Sequence, residues 1–510
     1  MVSLPLAKAT PRGEANPPSP SGCGGRPPSP ASLLLSVSLW IRHRRRSWDP
    51  AAWRSQRGSR GVPKPTLRTF FLILGLALAV RGILLMTVAP QKPTAWETEL
   101  IAKNLLSGKG FTFIYTGSVP YRAYKPPLYE WMTAGVYLLT HQNHDSEITS
   151  GAASSSRSQR AMVLLQCVFG ALLAGVCFLI GRILFGTAAG VITGICVALH
   201  PALIYYDTHQ LHALTLGGLL IASIAWIFLK LRVRNSWMRR LLAGALIGLA
   251  VHERGTAGIF LPIAITWLWA MGDAGMPCVG GSTPGGGAQS RATRVTRGQL
   301  LWRSAGPLIL GFVLVITPWT LRNAAVYHRF VFMTSLTGEL FWRGNNPQAT
   351  GTTVTSDLTP MLGTLPPEFE QKMAAMDELS QQDYLRQEAW AFIRSNPKKA
   401  ALLFIKKFLM FWWFAPTSGY RYPRVYLLTY QIFYLGALLL GLYGLLTPWS
   451  FPRKEDDIQG MALLISMALG FSLLQSFYYV EIRHRWAIEP LLLVFTGGGL
   501  VRLLPSTRRG

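Results

Sequence analysis

The stretch "WETELIAKNLLSGKGF" (residues 96–111) follows an apolar run at about 69–90 and sets two carboxylates, Glu97 and Glu99, at the start of a short amphipathic helix beside a membrane. The side of the membrane those acids face decides how the rest of the chain is threaded. On a helical wheel the apolar stripe is Ile101, Leu105 and Leu106. Glu99 falls on the polar side, four residues before Lys103, the favourable order for a solvated ion pair. Glu97 falls at the edge of the stripe, one turn before Ile101. A carboxylate pressed towards an apolar surface has its pKa raised and can serve as a base. An acid in the first helical turn is also favoured by the helix dipole alone.

The 510 residues are half hydrophobic and only 14% charged, with a mean hydropathy of +0.27. Several apolar runs reach the roughly 17–25 residues of a spanning helix. These features define an all-α, multipass integral membrane protein. The net charge of +27 is concentrated early, because residues 1–68 hold 12 Lys and Arg against 2 acids. Basic flanks held in the cytoplasm and facing anionic lipids account for this, and no nucleic-acid partner is implied. Residues 1–65 are Pro/Gly/Ser-rich and predicted to be a disordered cytoplasmic tail. The patch "ASLLLSVSLWI" is too short for a secretory signal and runs into "RHRRR". Five cysteines offer no disulfide framework. The absence of any N-x-S/T sequon fits a bacterial protein.

About ten spans (range 9–13) are predicted: 69–90, 161–183, 187–205, 211–229, 241–253, 256–271, 306–324, 427–447, 460–479 and 486–503. With both termini cytoplasmic in a cell inner membrane, ten crossings put Lys230, Arg232, Arg234, Arg239, Arg240, Arg291, Arg294, Arg297, Arg303, Arg508 and Arg509 inside, as the positive-inside rule requires. Two further apolar stretches, 126–140 and 400–415, read as helices lying at the outer interface with aromatic anchors. The second carries Lys406 and Lys407 mid-run, which would cost about 2.5–3.5 kcal/mol each at the centre of the bilayer. The organisation is thus a tail (1–65), an N-terminal membrane module (66–324) with a first outer loop at 91–160, an outer region (325–426) and a C-terminal membrane module (427–510).

Cations recur beside the outer acids. In "YRAYKPPLYEW" Arg122 and Lys125 precede Pro126 and Pro127, which fix an extended lead into the interfacial helix. They suit lipid headgroups or a phosphate-bearing lipid. "VEIRHRWAIEP" places Arg483, His484 and Arg485 outside, against the positive-inside preference. They either await an anionic ligand or pair with Glu481 and Glu489. In "HERG", Glu253 and Arg254 read as a structural ion pair. His209 and His212 make at most a weak metal pair, lacking further ligands. The chain has no P-loop, no G-x-S-x-G, no HExxH and no CxxC. The loop "VGGSTPGGGAQS" (279–290) reads as a linker. Nothing cradles a nucleotide phosphate, so a nucleotide-sugar donor has no visible site.

Over about residues 69–503 the chain resembles the GT-C superfamily of integral-membrane glycosyltransferases, in particular the protein O-mannosyltransferase-like enzymes and the lipid A aminoarabinose transferases. The pieces that carry the resemblance are "ETELIAKNLLSGKGF" (97–111), "YKPPLYEW" (124–131), "TPWTLRNAAVYHRFVFMTSLTGELFWRGNNPQATG" (317–351) and "RHRWAIEP" (483–490). The resemblance implies a GT-C-like helical bundle, a polyprenyl-phosphate sugar donor, an extracytoplasmic acceptor (glycan, lipid or protein) and a catalytic acid in the first outer loop. It carries that role to Glu97, with Glu99 as the alternative. It sets Lys125, Arg483 and Arg485 towards the donor phosphate, with Arg122 nearby, and Tyr124, Asn345 and Asn346 at the mouth of the site. One carboxylate suffices for inversion by direct displacement. The scheme requires no metal, and a divalent cation held by Glu97 is compatible with it. The chain departs from the aminoarabinose-transferase pattern at Thr94, where that pattern has its leading Asp. Two other classes fit less of the pattern: a flippase of a lipid-linked glycan, and an inactive scaffold of the same fold.

Overall fold

The apolar runs fold as helices wherever they were predicted, and the breaks between them follow the prolines and polar turns. The computed structural model describes residues 64–90, 92–95, 97–114, 119–140, 156–231, 236–271, 297–415, 418–446 and 455–504. The basic tail up to residue 63, the linker 279–290 and the cations Arg232, Arg234, Arg291, Arg294, Arg508 and Arg509 lie outside those residues.

The first span is α1 (Lys64–Thr87), followed by the acidic helix α2 (Glu97–Leu106), a two-stranded hairpin of β1 (Phe113–Ile114) and β2 (Pro120–Tyr121), and the interfacial α3 (Leu128–Leu139). Next come α4 (Ser156–Phe185), the bent pair α5 (Thr187–Ala198) and α6 (Pro201–His209), α7 (Leu214–Leu231), α8 (Trp237–Glu253), α9 (Phe260–Met271) and α10 (Arg297–Tyr327). The outer region holds α11 (Thr337–Arg343), α12 (Pro367–Ala374), α13 (Glu378–Ser395) and α14 (Pro397–Trp412). The chain closes with α15 (Arg424–Leu446), α16 (Glu455–Gln475), the short α17 (Ile482–Trp486) and α18 (Glu489–Leu503).

Six of these helices are long and apolar enough to cross a membrane, or seven if the bent pair is one span. This corrects the predicted ten. Residues 237–253, 260–271 and 489–503 are helical but short, and α8 spends its first turn on Arg239 and Arg240. The bend of 43° between α5 and α6 has a local cause. Pro201 starts α6, and His200 caps it by accepting the Leu203 amide at 3.3 Å. The two ambiguous stretches became α3 and α14, neither of which qualifies as a span. On α14 the side chains of Leu402, Ile405 and Leu409 line one exposed face, as in a helix lying along a bilayer surface. Lys406 is exposed, whereas Lys407 is fully buried and donates to the Gly344 carbonyl and to Asn345 Oδ1. The outer region has a small core of its own around Trp342, Met361, Met373, Leu385 and Ala389.

A buried ion pair joins the first span to the bent pair. Arg81 on α1 reaches Asp207 on α6 at 2.7 Å, and both side chains are excluded from solvent. Arg81 also donates to the carbonyls of Ala77 and Ala198, and Thr215 donates its hydroxyl to Asp207. Gly170 on α4 leaves the space the pair occupies, since a Cβ there would fall onto the Asp207 carboxylate and the Arg81 guanidinium. The connection continues above the span. Thr94 receives a hydrogen bond from Leu211 and donates to His209, a parallel bridge that pins the lead into α2 against the end of α6.

Breaking a buried pair from one side strands a charge, at a cost of about 3–5 kcal/mol. Arg81→Met should therefore lower the thermal midpoint measured in detergent micelles by far more than Arg81→Met combined with Asp207→Leu, the apolar double replacement.

Candidate active site

Three segments far apart in sequence converge at the end of the bundle where α1 and α6 finish. The first is α2, anchored by the Thr94 bridge and by burial of Ile101 and Ala102. The second is the turn before α3. The carbonyl of Arg122 accepts from Arg322 at 2.7 Å, the Ala123 carbonyl accepts from the Ser335 amide and the Thr334 hydroxyl, and the Tyr124 carbonyl accepts from Thr334 as well. The motif "PWTLRN" supplies this clamp. Trp319 donates to the Met333 carbonyl, Asn323 donates to the Val331 and Met333 carbonyls, and the Arg322 guanidinium lies 4.7 Å from the Trp319 ring. The third segment is α17. Its capping residue Glu481 accepts from the Thr353 hydroxyl, the Ser418 hydroxyl and the Gly419 amide.

At the junction Lys125 Nζ lies 2.7 Å from Glu97 Oε1. Burial would push the Glu97 carboxyl up. The Lys125 ammonium, acting by charge and hydrogen bond, and then Arg483 carry it below the usual carboxylate range instead. The sequence predicted a raised pKa from the apolar surface. It did not anticipate a lysine from 28 residues downstream in contact with the acid. Arg483 hydrogen-bonds the Tyr206 hydroxyl, which in turn meets Tyr422 at 2.9 Å.

The remaining predicted site residues lie elsewhere. Glu99 faces inward rather than to solvent. It keeps the Lys103 pair at 3.3 Å, but its two oxygens also accept from Gln159 Nε2 on α4, so it ties α2 to the bundle. Arg122 is exposed and engaged through its backbone. Tyr124 is buried against Phe113 and Tyr121. Asn345 and Asn346 are buried, and their amides cap the carbonyls of Phe341, Phe477 and Trp342. Arg485 is enclosed: it pairs with Glu489 at 3.3 Å, donates to Tyr430 and to the Phe411 and Trp413 carbonyls, and lies 3.7 Å from the Tyr434 ring. Two residues apart, Arg483 borders the site and Arg485 locks α17 to α14 and α15.

The sequence gives His212 at most a weak metal pairing, Glu253 and Arg254 a structural ion pair and Glu130 no role, and the fold collects them here. His212 is held well below its ordinary pKa, first by burial and then by Lys125, Arg483 and Arg254. Its Nδ1 accepts the Leu214 amide, leaving the ring proton on Nε2. Arg254 is 3.8 Å from Glu253, a long ion pair. Glu130, inside the quoted "YKPPLYEW", is 2% exposed, and burial pushes its carboxyl up to about 7. Its position one turn past Lys125 was the available signal. His209 stacks on Tyr205 and bonds Thr208, and among the described residues no three His, Cys, Asp or Glu side chains are grouped to hold a metal.

Residues 124–276, starting at the end of the clamped turn, match the family model of dolichyl-phosphate-mannose-protein mannosyltransferases. The matched segment is less than a third of the chain. Among solved structures it is similar to the Archaeoglobus fulgidus oligosaccharyltransferase tethered to an acceptor peptide containing the NVT sequon. That match has a TM-score of 0.52 and 13% identity, covering 86% of this chain and 50% of that one. The apo form of the same enzyme gives 0.50 and 12%, with the same coverage. The chain therefore spans about half the length of that oligosaccharyltransferase, and the likeness establishes the GT-C-like fold of a multipass, largely helical bundle. ArnT from Cupriavidus metallidurans bound to undecaprenyl phosphate gives a TM-score of 0.37 at 15% identity, covering 84% of this chain and 77% of that one, too loose a match to carry the fold. No curated protein sequence matches the chain.

The two arginines of α17 separate in a stability measurement. Arg485→Gln leaves buried Glu489 with His200 and Tyr430 but without its arginine and should cost roughly 3–5 kcal/mol of unfolding free energy. Arg483→Gln should cost less, because Arg483 is only partly buried and its loss strands no fully buried carboxylate.

Proposed function

We propose that this protein is a GT-C glycosyltransferase that moves a glycosyl group from a polyprenyl-phosphate donor to an acceptor at the outer face of the membrane. In this reading Glu97 takes the acceptor's proton while Lys125 and Arg483 hold the donor phosphate. The observation that carries it is the 2.7 Å contact between Glu97 and a lysine, beside a second cation contributed by the far end of the chain. The family description, which names a mannosyl group on dolichyl phosphate, supports the donor class.

The chemistry suits these groups. A phosphate leaves readily once cations neutralise the charge it develops, an effect worth several kcal/mol in a dry cleft. An approaching phosphate also competes with Glu97 for the Lys125 ammonium. With the phosphate sharing the Lys125 ammonium, its pull on Glu97 weakens while the contact stays, and the carboxylate becomes more basic, so donor binding arms the base. A single base acting with direct displacement inverts the anomeric centre. His212 adds a neutral donor beside the cations, and Tyr206 and Tyr422 fix Arg483. The paired charges inside the bundle, Arg81 with Asp207, support a static scaffold over a transporter's moving path.

The outward orientation belongs to this reading. Lys230 lies near Arg182 and Arg239 at the end of the bundle away from Glu97, and the positive-inside rule places such a cluster in the cytoplasm.

The test is transfer of labelled sugar from dolichyl- and undecaprenyl-phosphate donors to a cell-envelope fraction. Glu97→Gln should lower the rate about 10²–10⁴-fold, the usual worth of a general base. Lys125→Gln should raise the donor concentration needed for half-maximal rate. Chelation of divalent ions should leave the rate unchanged. Full activity in Glu97→Gln would refute the assignment.

A further inference from the structure

A second carboxyl stands behind the Glu97–Lys125 pair, and three contacts join the two acids in line. Lys125 Nζ lies 2.7 Å from Glu97 Oε1 and donates to Thr98 Oγ1 at 3.3 Å. Thr98 Oγ1 in turn donates to Glu130 Oε1 at 3.2 Å. Both donors in the chain point the same way, from Glu97 towards Glu130. Thr98 and Glu130 are each 2% exposed, so the far end of the line is closed to bulk water.

We propose that Lys125 and Thr98 form a proton relay from Glu97 to Glu130, and that Glu130 is the terminal acceptor of the proton released during glycosyl transfer. The inference rests on the function proposed above. The acceptor's lone pair forms the bond to the anomeric carbon as the bond from that carbon to the phosphate oxygen breaks, its electron pair leaving with the phosphate. The acceptor's proton goes to the Glu97 carboxylate. Glu97 then returns a proton to the Lys125 nitrogen as Lys125 passes one to Thr98 and Thr98 passes its own to Glu130. Lys125 ends as an ammonium, Thr98 as a hydroxyl, Glu97 as a carboxylate and Glu130 as a neutral acid.

The electrostatics favour that direction. Protonated Glu97 would no longer hold Lys125, whereas passing the proton on restores both the pair and the base. The groups facing Glu130 are Lys125 from the preceding turn, Glu97 and Thr98 from α2, Glu253 from α8 and Tyr129 on its own helix. Burial outweighs the pull of Lys125 and Thr98, and Glu97 adds to the push, so Glu130 titrates at about 7 while Glu97 sits below the usual range. Two neighbouring carboxyls with their affinities pushed apart is the arrangement that moves a proton one way. Glu130 must be ionised to receive a proton, so the rate should rise with pH through about 7.

The experiment is the pH–rate profile of the full chain with the donor that gives the highest rate in the assay above. Glu130→Gln keeps an oxygen to accept from Thr98 but cannot take a proton. It should lose the rising limb near neutrality and fall roughly tenfold at pH 8, a fraction of what a general base contributes. Thr98→Val should do the same, and Thr98→Ser should restore the limb. A Glu130→Gln or Thr98→Val profile of unchanged shape would overturn the relay, as would Thr98→Ser behaving like Thr98→Val. If Glu130→Gln does not fold, the two Thr98 variants decide alone. Absence of transfer by the unaltered protein, or full activity in Glu97→Gln, would instead sink the underlying functional reading.

Discussion

A full positive and a full negative charge face each other where water is absent, and the placement of the site depends on that contact. Arg81 and Asp207 are each too costly to bury alone. Each therefore dictates where the other's helix must lie. The pair fixes the height and rotation of α1 against α6, and the backbone bridge at Thr94 carries that register upward to α2. Glu97 is thus held by the bundle rather than by its own loop. The bend at His200–Pro201 belongs to the same device, because it aims α6, and Tyr206 with it, at the place where Arg483 arrives.

The outer segments are organised by exchange of backbone hydrogen bonds more than by a large apolar core. Arg322, Asn323, Thr334 and Ser335 together satisfy the carbonyls that precede Lys125 and those that follow α10. A turn with three successive carbonyls engaged is held in place, and an ammonium at its end is a positioned charge. Lys407 does comparable service below it, anchoring the Gly344–Asn345 turn from within the surface helix. Burial draws that amine down to about 7.

The sequence disclosed what is local. Apolar runs located every bundle helix, and prolines located the lead into α3 and the break between α5 and α6. The first-turn acids and the "KPP" lysine are visible in the sequence as candidates because each has an unusual neighbour in the chain. Partnerships between distant segments were not readable. Arg485 and Arg483 look equivalent in "RHRW", yet one is enclosed by Tyr430, Glu489 and two carbonyls while the other borders the site. Glu99 seemed a solvated partner of Lys103 because a helical wheel cannot show Gln159 approaching from α4. Asn345 and Asn346 stood out as a doublet, but their amides are spent on carbonyls. Glu130 carries no local mark in "YEW", because its burial and its bond from Thr98 come from other segments. The span count exceeds the six or seven helices that qualify by length and composition because α8, α9 and α18 are apolar but short.

Gly170 carries a consequence out of proportion to its size. It contributes no charge, no hydrogen bond and almost no volume, and its part is to be empty where the guanidinium of Arg81 and the carboxylate of Asp207 come together. Exchanging one hydrogen for a methyl group there would wedge the two ions apart as surely as erasing either of them. The smallest possible change of side chain, made on a helix that holds neither Glu97 nor Lys125, would loosen the register on which the position of Glu97 depends.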